Sequence, residues 1–288
     1  MLENESLMPK SVLAVVVSFN DGAALIKTVN ALVSQVGKVV IVDNGSSPET
    51  LCRIAELEVT LGIIPIYLHE NIGIGGALNI GVSIARKEHF DWILTMDQDS
   101  IAAPQMVSEM FMSAEKCQDA AVICPTLVAD GIEKKNKDKA VTSAITSGNL
   151  VRVSYLQFVG DYNERYFIDS VDFEFSLRIR NAGYKIIKCG SANLHHKLGE
   201  TKVASIMEYK YRYILHSPLR RYYMYRNHMY LVSEFWSRNP VFLMKKTILA
   251  ICGIVEIAIF DPQRWVNLKM IGRGIVDRVK ARDGKYVN

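Results

Sequence analysis

Two aspartates separated by one residue, Asp97 and Asp99 in the segment MDQDS, give the strongest chemical signal in this sequence. Two such carboxylates at a strand end can share a divalent cation and a ribose hydroxyl. Mg²⁺ takes one or two protein carboxylates and completes its shell with phosphate and water oxygens. Bound in this way, the cation would neutralise the charge on a departing nucleoside diphosphate. Aspartate pairs also occur in strand-end turns by chance, so the prediction depends on its surroundings.

Two further turns carry residues suited to a nucleotide. In VDNGS, Asp43 could accept a hydrogen bond from a base imide N–H or a ribose hydroxyl, or it could only shape the turn. The segment NIGIGG, residues 71–76, predicts a phosphate cradle before a helix N-terminus. It is not a dinucleotide fingerprint, because the third glycine position falls on Leu78.

An acidic pair and a histidine pair are the other candidates. Asp172 and Glu174 stand two residues apart at a predicted helix start, so their side chains point in different directions. One could act as a base while the other orients the chain, or both could be helix-cap acids favoured by the macrodipole. His195 or His196 could complete a metal shell begun by Asp99, or the pair could be incidental.

The elements that must position these residues alternate between short β-branched runs and amphipathic stretches. Near-continuous apolar strands separated by helices predict an α/β fold with a mainly parallel sheet, covered on both faces. The predicted strands are residues 12–18, 38–43, 63–68 and 92–96, and the predicted helices are residues 22–36, the stretch after Pro48, and residues 75–87.

The polar candidates fall at the carboxyl ends of these strands. The four strands end in residues 18–20, 43–46, 70–71 and 97–99. Ligands of open α/β sheets bind at those ends, so we expect one site along this edge.

The second half of the sequence is less regular. The turn at residues 146–149, which contains Ser147 and Gly148, precedes a predicted strand at 150–153. Residues 172–181 predict a helix that ends before Gly183.

The predicted domains are a catalytic domain over residues 1–205 and a C-terminal helical region over residues 206–288, rich in tyrosine and arginine near its start. Within the catalytic domain we expect donor binding in residues 1–125 and acceptor binding and catalysis in residues 126–205. The apolar stretch Thr247 to Val255 is too short to span a membrane, which needs about 20 apolar residues.

Composition excludes several classes of protein. The 288 residues are 49% hydrophobic and carry a formal charge of +4, which is too weak an excess to indicate a nucleic-acid partner. The five cysteines form no CxxC pair, so neither a disulfide framework nor a thiolate zinc site is expected. The polar N-terminus does not resemble a secretory signal, and a cytoplasmic setting is expected.

Six segments in order resemble the GT-A glycosyltransferases of the inverting family-two group. They look most like bacterial rhamnosyltransferases that build O-antigen and related surface polysaccharides. The segments are VVVSFN, VDNGS, ENIGIGGALNIG, MDQDS, FIDSVDFEFSLRIRNAGYKI and HHKLGE, and the later YYMYRN and GRGIVDR are also similar to this subgroup.

The resemblance implies roles for individual residues. Asp43 would contact the base, Asp97 the ribose, and Asp99 a Mg²⁺ or Mn²⁺ ion. His196 would be a further metal ligand, with His195 as the less favoured candidate. Asp172 would be the base that deprotonates the acceptor hydroxyl, so that the anomeric configuration inverts. The other expected donor contacts are Ser18, Asn20, Asn44, Asn71 and Gly75, and the expected acceptor or supporting residues are Ser147, Gly148 and Glu174.

The resemblance also implies substrates. The residue before Asp172 is Val171, where many family members have glutamate, and this favours the rhamnosyl subgroup with dTDP-L-rhamnose as donor. Another UDP- or GDP-sugar is the alternative. Residues 209–230 would suit an acceptor on a lipid pyrophosphate and contact with the inner face of the membrane, or they could form a helical cap.

Two other functions share part of this pattern. A nucleotidyltransferase would carry a glycine-rich basic signature after the first strand, and residues 19–22 lack one. A non-catalytic carbohydrate-binding relic would have lost the acidic residues, and Asp97, Asp99 and Asp172 are all present.

Overall fold

The computed structural model describes residues 11–128, 134–196, 201–206 and 209–287, and for residues 201–214 only the backbone. The chain divides into two compact units. The first unit comprises the chain up to Glu164 and then Val171–Lys197; the second comprises Arg165–Ser170 and the chain from Leu198 onward. The six-residue segment 165–170 therefore groups with the C-terminal part of the chain.

In the part of the chain that is described, the first unit is built on a nine-stranded sheet. Its elements in chain order are β1 (Val12–Ser18), α1 (Gly22–Leu32), β2 (Lys38–Asp43), α2 (Pro48–Leu61), β3 (Ile64–Tyr67), α3 (Gly73–Lys87), β4 (Trp92–Asp97), β5 (Ser100–Ala102), α4 (Met106–Lys116), β6 (Ala120–Val128), β7 (Lys139–Ala140), β8 (Asn149–Arg152), α5 (Val153–Val159), α6 (Val171–Asn181) and β9 (Lys185–His196).

The strand order is β3-β2-β1-β4-β8-β6-β9-β5, with β7 also paired to β9. Strands β1 to β4 are mutually parallel, β8 is antiparallel to both β4 and β6, and β6 is parallel to β9. The mainly parallel sheet is thus confirmed. The carboxyl ends of β1, β2, β4 and β9 and the amino ends of β8 and β5 all lie along one edge.

Burial explains the central strands. Residues Val12–Val16 of β1 are all 0% exposed, and Val17 is partly exposed, so both faces of β1 are covered. Helix α1 begins where the carboxylate of Asp21 accepts a hydrogen bond from the Ala24 N–H at 3.1 Å. It ends at Leu32, short of the predicted end at residue 36, and the Gln35 side chain bonds the Ala31 carbonyl of its last turn.

The second unit contains β10 (Thr201–Ile206), β11 (Tyr209–Ile214), α7 (Pro218–Phe235), α8 (Pro240–Phe260) and α9 (Arg264–Val279). Strands β10 and β11 pair antiparallel. The prediction of helix from residue 206 onward was therefore wrong over residues 209–214. Helix α7 begins at Pro218, where the hydroxyl of Ser217 caps the Arg220 N–H.

The tyrosines of α7 are buried in the second unit. Tyr222, Tyr223 and Tyr230 are each 2% exposed, and Arg226 is 0% exposed. These side chains hold the helices of this unit together, so the expectation that the aromatic residues of this segment contact a membrane or a lipid-linked acceptor was wrong for them. The side chains of residues 209–214 lie outside the described residues.

Candidate active site

The structure brings together the two aspartates of MDQDS and one histidine. One ligand atom from each of Asp97, Asp99 and His196 lies within 4.8 Å of the others, and all three side chains are at least partly accessible. Two carboxylates and an imidazole form a donor set that Mg²⁺ or Mn²⁺ accepts, with space in the shell for phosphate oxygens. The residues present therefore fit the cation that the sequence predicts.

Strand pairing explains which histidine joins this cluster. Strand β5 follows the two aspartates and runs antiparallel to β9, where Ser100 pairs with His196 and Ile101 with His195. Because neighbouring residues on a strand project to opposite faces, His196 and His195 cannot both face the aspartates. Among the described residues the cluster includes His196 and not His195.

Gln98 ties the cluster to the end of β1, a role that the sequence did not predict. Its Oε1 accepts the Phe19 N–H at 2.7 Å, and its Nε2 donates to the Phe19 carbonyl at 2.9 Å. Its own carbonyl accepts a hydrogen bond from the Thr28 hydroxyl at 2.7 Å. The residue between the two aspartates thus fixes the turn that carries them. The only local signal was an amide residue, whose two-way hydrogen bonding is compatible with a backbone partner.

Asp43 lies at the end of β2 and is 0% exposed. Its Oδ2 accepts the Ser46 N–H at 3.0 Å, which is the turn-shaping role considered as the alternative to base binding. Its Oδ1 and the hydroxyl of Ser18 are buried without a hydrogen-bond partner among the described residues. Contact between Asp43 and a base remains a prediction that requires this turn to open.

Asparagines organise the turns beside Asp43. Asn44 is 2% exposed, accepts the Ile72 N–H at 2.9 Å and donates to the Gly73 carbonyl at 3.2 Å. Asn71 accepts the Gly73 N–H. In the first turn, Asn20 accepts the Ser47 N–H at 2.8 Å. The hydrogen bonds of these three asparagines thus connect the turns that follow β1, β2 and β3.

Gly75 lies inside the first turn of α3, because this helix begins at Gly73 and not at residue 75 as predicted. A Cβ at Gly75 would lie 3.2 Å from the carbonyl oxygen of Asn163. The close approach that this glycine permits is therefore to the protein's own backbone. A phosphate at this helix N-terminus stays a prediction.

The acidic pair at the start of α6 separates into two roles. Glu174 is 2% exposed, and both of its oxygens pair with Arg178, at 2.7 and 2.9 Å. Arg178 in turn donates to the Asp161 carbonyl at 2.7 Å, so Glu174 orients the chain before the helix. Asp172 is half-buried in the first turn, and its Oδ1 accepts the Phe173 N–H. Of the two carboxylates, that of Asp172 is the more accessible.

Ser147 and Gly148 stand directly behind the aspartates. The Ser147 hydroxyl accepts the Asp97 N–H at 3.1 Å. Gly148 adopts a φ of +83°, and its N–H donates to the Thr95 carbonyl at 2.7 Å. A side chain at Gly148 would lie 2.7 Å from the ring of Pro125, so both the backbone angle and the space require glycine. Both residues therefore fix the end of β4, which carries Asp97.

Sequence comparison matches this chain to a known protein family. Residues 13–172 match glycosyl transferase family 2. The chain is 28% identical to the dTDP-rhamnosyl transferase RfbF of Shigella flexneri, over 79% of this chain and 81% of that protein. It is 25% identical to the galactofuranosyltransferase GlfT1 of Mycobacterium tuberculosis, over 92% of this chain and 96% of that protein.

Solved structures show the same fold at low sequence identity. GalNAc-T7 with UDP, GalNAc and Mn²⁺ superposes with a TM-score of 0.61 at 14% identity, over 79% of this chain and 48% of that chain. Residues 1–349 of Staphylococcus aureus TarS, in complex with UDP-GlcNAc, superpose with a TM-score of 0.57 at 16% identity, over 93% of this chain and 81% of that chain. The chain therefore has the GT-A fold and belongs to glycosyl transferase family 2.

Proposed function

We propose that this glycosyltransferase of surface polysaccharide synthesis transfers L-rhamnose from dTDP-L-rhamnose to a saccharide acceptor, with inversion and with a divalent cation. The observation that carries the proposal is the cluster of Asp97, Asp99 and His196 at the sheet edge, on the fold of nucleotide-sugar enzymes. The similarity to RfbF supports the rhamnosyl donor. The similarity to GlfT1 supports a second candidate, transfer of galactofuranose.

The chain's residues divide the work of the reaction. A bound Mg²⁺ or Mn²⁺ supplies positive charge against the diphosphate leaving group. Asp99 and His196 would hold the cation, and Asp97 would contact the ribose. Asp172 takes the proton from the acceptor hydroxyl as the new bond forms. Attack from the face opposite the diphosphate inverts the anomeric centre.

A donor panel tests this proposal. Binding and hydrolysis of dTDP-L-rhamnose, UDP-galactofuranose and other UDP- and GDP-sugars are measured with Mg²⁺, with Mn²⁺ and with EDTA. We expect a preference for dTDP-L-rhamnose that requires the cation. A preference for another donor would retain the transferase and contradict the rhamnosyl assignment. If none of these donors binds, that result would favour a non-catalytic relic of the fold.

We also propose that the acceptor is lipid-linked and that the second unit contacts an anionic membrane on its cytoplasmic face. No helix among the described residues is long and apolar enough to cross a bilayer. Helix α8 nevertheless exposes an apolar stripe along one face, at the helical spacing of three or four residues. The stripe consists of Val241 (60% exposed), Met244 (49%), Ile248 (53%), Ile251 (56%), Val255 (53%) and Ile259 (58%).

Charge favours a bilayer over a second copy of the chain as the partner of this stripe. From residue 240 onward the sequence has nine lysines and arginines against four acids, and two of those acids, Asp261 and Asp277, are buried. Trp265 is 75% exposed beside Arg264, a pairing typical of the membrane interface. Two copies meeting here would bring like charges together, whereas anionic headgroups would complement them.

Vesicle flotation tests the membrane contact. We expect the protein to float with vesicles that contain anionic phospholipid and not with phosphatidylcholine alone. The double variant Ile248→Asp/Ile251→Asp should stay in the dense fraction, while Val59→Asp, an exposed valine of α2 in the first unit, should float. A wild-type protein that never floats would refute the contact. A double variant that floats but loses self-association would reassign the stripe to a protein interface.

A further inference from the structure

We propose that Ser100 is a positioning residue that orients His196 toward the cation. The proposal rests on the cation site of the proposed function and adds a residue that this site does not include. Ser100 is the first residue of β5, immediately after the aspartates, and it is 0% exposed. It therefore cannot contact a nucleotide sugar and can act only through its neighbours.

Ser100 lies in a buried chain of hydrogen bonds that joins both sides of the cluster. The Asp97 N–H donates to the Ser147 hydroxyl at 3.1 Å, and this hydroxyl donates to the Ser100 hydroxyl at 2.8 Å. The Ser100 hydroxyl lies 2.8 Å from Nδ1 of His196. Ser147 is 1% exposed, so water does not compete for these bonds.

These hydrogen bonds determine which ring nitrogen of His196 is available to a cation. Since Nδ1 is engaged with Ser100, Nε2 is the nitrogen left for a metal. A histidine that ligates through Nε2 carries its hydrogen on Nδ1 and needs an acceptor there. A serine hydroxyl has two acceptor lone pairs, so Ser100 can accept the Ser147 hydrogen and the Nδ1 hydrogen together, which leaves the lone pair of Nε2 free for a metal.

Backbone pairing alone would not make this contact. The β5–β9 ladder places Ser100 opposite His196 through the main chain, and an alanine at position 100 would keep that pairing. The hydroxyl is what reaches Nδ1. Removing it leaves the imidazole ring with one fewer constraint on its rotation and on the location of its hydrogen.

A double-mutant cycle on cation affinity tests the role. The dissociation constant of Mn²⁺ in the presence of dTDP is measured by calorimetry for the wild type, Ser100→Ala, His196→Ala and the double variant. We expect Ser100→Ala to weaken binding by about 10- to 100-fold, as loss of a partner behind a metal ligand does. In the His196→Ala background the same change should have no further effect, because Ser100 acts through His196.

Ser113→Ala is the matched control. Ser113 is 2% exposed in the same unit, and its hydroxyl has no partner among the described residues. Its loss should leave Mn²⁺ affinity unchanged. Equal affinities in the wild type and Ser100→Ala, or effects that add in the double variant, would overturn the positioning role and leave the proposed transfer intact. A wild type that binds no Mn²⁺ would overturn both.

Discussion

Polar side chains are partly accessible at the sheet edge of the first unit and buried in helix α7 of the second unit. At the sheet edge Asp97, Asp99 and His196 converge while remaining partly accessible. In the second unit Arg226 and Asn227 are 0% exposed and bond to each other and to backbone carbonyls. Helix α8 of this unit instead exposes a stripe of apolar side chains.

This difference separates candidate ligands of a cation from side chains that hold the fold. Burying a charged or amide group is costly unless its hydrogen bonds are made within the protein, so a buried and bonded group is a structural element. Accessible acids that share a small volume repel each other, and a bound cation would offset this repulsion. The motifs MDQDS and YYMYRN thus differ in burial, although both resemble the same group of glycosyltransferases.

The largest effect is expected from Asp172→Asn. If this accessible carboxylate is the base, its loss should lower transfer to the acceptor by about 10²- to 10⁴-fold, because an amide cannot take the proton. Donor binding and cation affinity should be retained. Transfer is measured as kcat with a saccharide acceptor, beside Asp91→Asn at the exposed amino end of β4. Unchanged transfer in Asp172→Asn would show that Asp172 is not the base.

A smaller effect is expected from Asn227→Ala in the second unit. The Asn227 amide lies 2.7, 2.8 and 2.9 Å from the carbonyl oxygens of Tyr166, Ile168 and Asp169. Leaving these groups without their donor should cost about 3 kcal/mol of unfolding free energy. Urea denaturation measures the loss, with the exposed Asn30→Ala of α1 as control. An unfolding free energy equal to that of the wild type would show that this network is not structural.

The smallest effect concerns His216 of the second unit. Burial, and then the charges of Arg220 and Arg221, lower the pKa of His216 to about 4. The unfolded chain, with the ordinary histidine pKa near 6.5, takes up the proton first as the pH falls. Stability is therefore lost between about pH 6.5 and pH 4. The Tm of the wild type should fall more steeply over this range than that of His216→Gln; parallel curves would contradict the assignment.

Much of the first unit could be predicted because local pattern determines it. Strands β1 and β2 begin and end where unbroken β-branched runs predict, and Asp97 and Asp99 lie at the predicted strand end. The role of Ser100 could not be predicted. Its partner His196 is 96 residues away, and no local pattern records a contact at that separation.

The second unit was predicted less well, although its sequence contains a signal for the strand β11. The strand β11 reads YKYRYI, in which aromatic and basic residues alternate with the period of two that is typical of a strand. Because the composition is rich in tyrosine and arginine, it favoured the prediction of an interface over that of a strand. Burial of Tyr222 and Tyr223 depends on packing within α7 to α9, and local sequence does not predict that packing.

The central claim is that the accessible cluster at the sheet edge holds the cation that the donor needs. Titration of Mn²⁺ into the wild type, Asp99→Ala and Asp91→Ala, each with dTDP present, tests it most directly. We predict Mn²⁺ binding in the wild type and in Asp91→Ala, at the opposite end of β4, and its loss in Asp99→Ala. Equal Mn²⁺ affinity in all three proteins would show that the cation, if it binds at all, is held elsewhere.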